Sequence, residues 1–438
     1  MLNRIFKIIV LILAIVGIFL GVSITIKKQL PENNQRQVES QIFSKIQTKS
    51  AEITEFYTYG RAFNLNGIID NVSKDNFESA KLVITDGLEY EKEYNVDYSL
   101  IDGKLAFSSK LINSEIILDD LDDSNYYILL RLKLNNSIDP KYYSLKNVSK
   151  ENDIEYYTLS SEDKPTRKAI IDWVQKEYEG KMYDILTVRM EEATLPDDVY
   201  DIVIDAGHGG KDTGVVSGKI SESNITLEYA KLLEESLENK GYKVKLTRDE
   251  NNTDSYTTTN MYDQDGRISI ACSSKAKLMI SFHVNDNPNN LSGFEIYCPC
   301  KSDLTFASEM AKKIKEYSTI NYSNNTTYKQ LDGVYVNNFT QSIINDFKVT
   351  AQKKGYEPYP ITINTPYLYT IREVGGVATG AYVDGRNTQY SKNEYYDSNQ
   401  GIECYQIELG YIKTDLDVIV NEKNSYIRAI TEAICDKF

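Results

Sequence analysis

The chain has 438 residues, with 49 Lys+Arg against 64 Asp+Glu and two histidines, giving a formal charge of −15. That length exceeds one ordinary domain, and 41% hydrophobic with 26% charged residues excludes both a largely disordered chain and a multi-span membrane protein. The acidic balance argues against a nucleic-acid partner, whose electrostatic footprint is basic, and against docking on anionic lipid through a basic face.

Residues 8–26, IIVLILAIVGIFLGVSITI, carry no charge, with Arg4 and Lys7 before them and Lys27 and Lys28 after. Apolar runs of about 18 or more read as membrane-spanning, whereas a cleaved signal peptide has an apolar region of about 7–15 residues. The run is therefore expected to be a retained transmembrane helix within 1–28, with cleavage near Gly21-Val22-Ser23 as the alternative. The polar residues 29–50 read as a juxtamembrane spacer.

Residues 51–190 alternate like half-buried strands, with Leu130, Leu132 and Leu134 separated by Arg131 and Lys133. Asp86-Gly87 marks a turn, and Asp102-Gly103 sits between two apolar runs as a hairpin signal. Ala169–Val174 fits a short helix or a strand, and Asp184–Met190 a closing strand. The expectation is a β-rich, sandwich-like accessory domain without a catalytic constellation, and its partner is unknown. Residues 191–198, EEATLPDD, form an acidic linker.

From 199 the pattern becomes α/β. A buried strand ends in Ala206-Gly207-His208-Gly209-Gly210. A helix follows, with Ile225, Tyr229, Leu232, Leu233 and Leu237 on one face, and Gly241 ends it. Val244–Thr247, Leu278–Phe282, Phe294–Tyr297 and Tyr405–Leu409 read as further strands, and Ser269–Ser274 as helix. The fold class expected for 199–438 is therefore a mainly parallel, twisted sheet flanked by helices, with chemistry at the strand ends. None of the five cysteines lies before Cys272, so a disulfide scaffold fails. Cys298 and Cys300 flank Pro299 and could form a metal or redox pair, but read better as ordinary cysteines beside a turn.

His208 and His283 each lie just beyond a strand of this region, and His208 is set among glycines that allow close backbone approach. Two histidines at neighbouring strand ends can share one metal. A catalytic zinc usually takes three protein ligands and keeps a position open. The third ligand would be a carboxylate, for which Glu222 at the helix start is a candidate, and Glu408 in YQIEL could serve as acid/base. Taken alone, Glu222 reads as a helix N-terminal charge and Glu408 as a solvated edge residue, so spacing does not single them out.

The motifs DAGHGGKDTG (205–214), SESNITL (221–227), VKLTRD (244–249), SFHVN (281–285) and IELGYI (407–412) stand in order. Together they make 199–438 resemble the zinc-dependent N-acetylmuramoyl-L-alanine amidases of the amidase-3 type. The resemblance implies a zinc site of His208, Glu222 and His283, with Glu408 as the general base and acid. It implies peptidoglycan as substrate, cut between the lactyl group of muramic acid and L-alanine. The substrate then puts the catalytic domain outside the membrane.

Other residues are left with two readings. Asp205 would either orient His208 or act as a turn carboxylate. Asn285 and Arg372 are candidates for substrate or supporting contacts, and Arg372 and Arg386 could pair with an anionic stem peptide or remain loop charges. Cys272 stands where the family often has asparagine. The spacing from His283 to Glu408 is long, and an insertion within about 315–400 is expected, of a kind that often covers a site. A catalytically silent wall-binding protein and a zinc hydrolase of a different amide are the competing functions.

Overall fold

A computed structural model of the chain describes residues 32–109, 115–135, 137–149, 154–159, 165–250, 266–286, 290–299, 304–355, 361–380 and 400–437. The apolar run 8–26 lies outside them, and among the described residues no helix is long and apolar enough to cross a membrane.

The first half opens with helix α1 (Glu32–Phe43), followed by strands β1 (Ile46–Tyr59), β2 (Ala62–Ile69), β3 (Phe77–Thr85), β4 (Glu91–Asn95), β5 (Asp97–Ile101) and β6 (Lys104–Ser108). It continues with β7 (Asn125–Leu134), β8 (Lys141–Asn147), β9 (Ile154–Tyr157), β10 (Arg167–Tyr178) and β11 (Lys181–Glu192). The 29–50 stretch is thus not a polar spacer over its described part. Val38, Ile42 and Phe43 of α1 are buried against Val83, Leu129 and Ile185, so burial of apolar surface fixes this helix to the sheet.

The sandwich expectation is also corrected. The strands form one continuous sheet in the order β5-β6-β2-β1-β8-β7-β11-β10-β9, with β3 and β4 branching from β7. β7 can serve three neighbours because β3 uses one of its edges while β8 and β11 share the other along its length. Apolar residues at alternate positions, such as Leu82, Ile84, Ile128, Leu130 and Leu132, line the core that this sheet encloses. The Asp102-Gly103 hairpin is present, with φ of 50° and 76°, the paired left-handed conformation of a two-residue hairpin turn. Ala169–Val174 is strand, within β10.

The second half builds a separate sheet from β12 (Ile202–Ala206), a short hairpin of β13 (Val216–Ser217) and β14 (Ile220–Ser221), helix α2 (Glu222–Glu238), β15 (Val244–Leu246) and α3 (Arg267–Ser273). Next come β16 (Leu278–Asn285), β17 (Glu295–Tyr297), α4 (Thr305–Tyr317), β18 (Lys329–Leu331), β19 (Val334–Tyr335), α5 (Gln341–Lys354) and α6 (Tyr369–Val374). The chain closes with β20 (Gln400–Gly401), β21 (Glu403–Tyr411), α7 (Leu416–Asn421) and α8 (Lys423–Lys437). The sheet runs β15-β12-β16-β21-β17-β19-β18, and its first four strands are parallel.

Alternation along these strands divides the layers. Ile202, Ile204, Leu278, Ile280, Phe282, Tyr405 and Ile407 face α2, α4 and α8, whereas Val203, Met279 and Cys404 face α3 and α6. The α3 face carries less apolar cover, and the polar residues Asp205, Ser281, His283 and Glu408 continue it toward the strand ends. Part of the expected insertion, 329–335, extends the sheet as β18 and β19. Residues 356–360 and 381–399, including Arg386, lie outside the described residues.

Candidate metal centre

Beyond Ala206 the chain leaves β12 and must satisfy several carbonyls that the ladder no longer pairs. Two buried arginines do this. Arg248 donates from Nε to the Ala206 carbonyl at 2.9 Å and from Nη2 to the Ser223 carbonyl at 2.7 Å, and Arg267 donates from Nη2 to the His208 carbonyl at 3.0 Å. Gly207 passes so close to β16 that a Cβ would lie 2.5 Å from His283 Cε1 and from the Phe282 carbonyl oxygen. His208 itself adopts φ 60°, an uncommon left-handed conformation for a residue with a side chain. The clamped turn thereby holds the His208 ring beside that of His283, with ring centroids 5.0 Å apart.

Glu222, the first residue of α2, lies between the two rings. Its Oε1 is 3.1 Å from His208 Nε2 and 3.2 Å from His283 Nδ1, and it also accepts from the Val284 N–H at 2.8 Å. Its Oε2 accepts from the Val215 N–H at 2.9 Å. Burial alone would raise this carboxyl's pKa, but hydrogen bonds and charge from both histidines hold it well below the ordinary range. The three residues offer ligand atoms that all lie within 4.8 Å of one another, and they are the metal-capable group among the described residues. Two imidazoles and one carboxylate converging on one point suit zinc.

The structure divides the two readings of Asp205. It does not touch the His208 ring. Asp205 is fully buried and accepts from Arg267 Nη1 at 2.5 Å, Thr247 Oγ1 at 2.7 Å and Ser281 Oγ at 2.7 Å. Burial opposes its ionisation, but Arg267 and these hydroxyls outweigh that and lower its pKa. The orienting partner of His208 is Asp212, whose Oδ2 lies 2.9 Å from His208 Nδ1. Asp212 was legible as the Asp of DAGHGGKDTG but received no role from spacing.

Glu408 sits on β21 beside His283 of β16 in the parallel ladder and opposite Glu295 of β17 in the antiparallel one. Its Oε1 accepts from Gln406 Nε2 at 2.9 Å. Burial pushes its pKa up to about 7, with His283 opposing the rise and Glu222 adding to it. It is therefore not the solvated edge residue that it would be in isolation.

Glu295 is a residue that sequence reasoning missed. It accepts from Tyr411 OH, Ser323 Oγ and Asn325 Nδ2 on one oxygen, and from Tyr297 OH and Asn285 Nδ2 on the other. Its only sequence signal was the break in the apolar run of Phe294–Tyr297. Asn285 thus supports Glu295. Arg372 is engaged away from the metal ligands: it pairs with Glu373 at 2.8 Å and donates to the Pro366 and Tyr367 carbonyls. Cys272 packs among the apolar residues between α3 and α6. Cys298 is buried, and Cys300 lies outside the described residues.

Two histidines and a glutamate around one point can hold a metal ion, and a second buried carboxylate stands on the adjoining strand. Residues 202–365 match the model of the Amidase_3 family, N-acetylmuramoyl-L-alanine amidase. Glu408 lies beyond the matched stretch. The chain is similar to the germination-specific N-acetylmuramoyl-L-alanine amidase of Bacillus subtilis, 32% identical over 31% of this chain and 60% of the relative. It is also similar to the endolysin of Bacillus phage SPP1, 33% identical over 25% of this chain and 38% of that protein. The matches therefore span less than two thirds of either relative. Among solved structures, the catalytic domain of CwlV, an amidase from Paenibacillus polymyxa, aligns with 55% of this chain and 98% of its own, at 19% identity and a TM-score of 0.34.

Proposed function

We propose that this protein is a zinc-dependent N-acetylmuramoyl-L-alanine amidase that cleaves peptidoglycan between the lactyl group of muramic acid and L-alanine. The observation that carries the reading is the convergence of His208, Glu222 and His283 with Glu408 on the strand beside them. The family-model match over 202–365 supports the substrate class.

In this reading His208, Glu222 and His283 hold the ion. When bound, zinc supplies Lewis acidity toward the scissile carbonyl and toward water. Glu408 accepts a proton from the attacking water as its oxygen bonds to the carbonyl carbon. It then delivers that proton to the departing nitrogen as the C–N bond breaks. A pKa near 7 suits a group that must accept and return a proton at neutral pH. Asp212 keeps the His208 ring oriented through its Nδ1. The uncharged run 8–26 supports a membrane anchor, and a peptidoglycan substrate would put the catalytic part outside.

The test is incubation of the purified protein with peptidoglycan and zinc, with products identified by mass spectrometry. Stem peptides beginning with a free L-alanine amine are expected, and they should be absent with chelator and in Glu408→Gln. Intact peptidoglycan with zinc bound would favour a silent wall-binding protein, and a different cleaved bond would favour another amide hydrolase.

A further inference from the structure

We propose that the β-rich domain is a positioning element of the catalytic domain, acting through Gln400–Gly401 and α6 on the hydrogen-bond chain that ends at Glu408. The extended segment 400–411 belongs to both sheets. Gln400 and Gly401 pair in parallel with Thr58 and Tyr59 of β1, and after Ile402 the same segment becomes β21. The Gly60 N–H donates to the Gly401 carbonyl at 2.9 Å, and the Ile402 N–H donates to the Val374 carbonyl at the end of α6, also at 2.9 Å. From α6, Thr370 Oγ1 donates to Gln406 Oε1 at 3.2 Å, and Gln406 Nε2 donates to Glu408 Oε1 at 2.9 Å. The β-rich domain thus holds the segment that the end of α6 also binds, and a side chain of α6 orients the amide that hydrogen-bonds Glu408.

The contact is built as an interface and not as a tether. Arg61 donates to the Lys437 carbonyl at 2.8 Å while facing Asp119 and Asp120 of its own domain. Gln400 Nε2 donates to the Glu155 carbonyl at 3.0 Å. Lys277, buried just before β16, places its ammonium 4.5 Å from the centre of the Tyr156 ring, and its carbonyl accepts from the Glu403 N–H at 3.1 Å. The ammonium also donates to the Lys275 carbonyl at 2.8 Å, and Tyr156 covers it from the other domain. The β-rich domain therefore grips the starts of β16 and β21, the strands that carry His283 and Glu408. A spacer on a linker would leave these strand starts to solvent.

The test uses the full chain with Gly60→Val. Gly60 has φ +56°, and a Cβ there would lie 3.0 Å from Glu403 Oε2, so a branched side chain loosens this contact without touching a site residue. Arg61→Ala is the second variant, in case the β1–β2 turn fails to form. Amide hydrogen exchange is followed along the chain, together with bound zinc and steady-state kinetics on peptidoglycan. The expected result is faster exchange in 369–375 and 400–408, and kcat roughly tenfold lower with KM and zinc content unchanged. Added exchange confined to residues 58–63, or unchanged kcat once the contact is loosened, would overturn the proposal. The kinetic arm rests on the amidase reading. The exchange arm does not, so a protein that cleaves no peptidoglycan still decides the coupling.

Discussion

Glu295 and Glu408 stand directly opposite each other in the β17–β21 ladder, and their surroundings treat them in opposite ways. Hydroxyl and amide donors from Tyr297, Tyr411, Ser323, Asn325 and Asn285 surround Glu295. Glu408 has the Gln406 amide, and burial raises it from an ordinary 4.5 to about 7. Glu295 is thus tied into a network of donors, whereas Glu408 keeps the Gln406 amide and stands beside His283.

The shift at Glu408 has a definite sign in stability. Below pH 4.5 the group is protonated in both folded and unfolded chains and contributes nothing. Above pH 7 the folded chain carries a buried charge, a penalty of about 3 kcal/mol at 1.36 kcal/mol per pKa unit. Stability is therefore lost as pH rises through this window. Glu408→Gln removes the penalty, so the metal-free variant should match the wild type near pH 4 and exceed it by up to about 3 kcal/mol at pH 8. Urea unfolding across pH checks this. A stabilisation that does not grow with pH would mean that Glu408 is not held protonated. The same substitution should abolish turnover.

His208 gives a second pH signature. Burial lowers its pKa, but hydrogen bonds and charge from Glu222 and Asp212 outweigh this and push it up to about 9. The metal-free ring is then protonated at pH 7.5, whereas a ligating imidazole must free one nitrogen. Zinc binding should release about one proton per ion at pH 7.5 from this ring and almost none at pH 10. Calorimetry in buffers of different ionisation enthalpy measures the number. A count of zero at pH 7.5 would mean that Glu222 and Asp212 do not hold the metal-free ring protonated.

Much of this site could be read before any coordinates. The 3.6-residue spacing of Ile225, Tyr229, Leu233 and Leu237 fixed α2, and apolar runs ending in His208 and His283 placed both rings at strand ends. What could not be read was which polar neighbour serves which ligand. Asp205 and Asp212 both flank His208 in sequence. Alternation along β12 turns Asp205 to the α3 face, where Arg267 binds it, while the left-handed turn brings Asp212 back to the ring. Glu295 was hidden because its donors come from four separate stretches of chain. Likewise α1 looked polar by composition, since Val38, Ile42 and Phe43 are too few to give a strong period, yet they suffice to dock it.

The division between those two aspartates can be tested directly. Asp212→Asn leaves the fold's buried pairs intact but removes the carboxylate that holds His208 Nδ1. Supporting residues of this kind are worth about 10–100-fold in metal affinity. Zinc competition titrations should show a loss of that size in Asp212→Asn, with an unfolding midpoint close to that of the wild type in the metal-free state. An unchanged zinc affinity would assign Asp212 to the turn alone.

Asp205 should behave in the reverse manner. Its carboxylate and the Arg267 guanidinium are both out of solvent, paired at 2.5 Å, and the arginine also holds the His208 carbonyl. Removing one partner of such a pair strands the other charge and typically costs about 3–5 kcal/mol. Arg267→Met is expected to destabilise the metal-free protein by about that amount, because Asp205 keeps its charge without its counterion. The double variant Asp205→Asn/Arg267→Met should recover part of the loss, since the stranded charge is gone, giving a favourable coupling between the two sites. Urea unfolding of the wild type, both single variants and the double variant closes the cycle. Strict additivity would mean that the two residues stabilise the turn independently, and that the ion pair is not what fixes the backbone under His208.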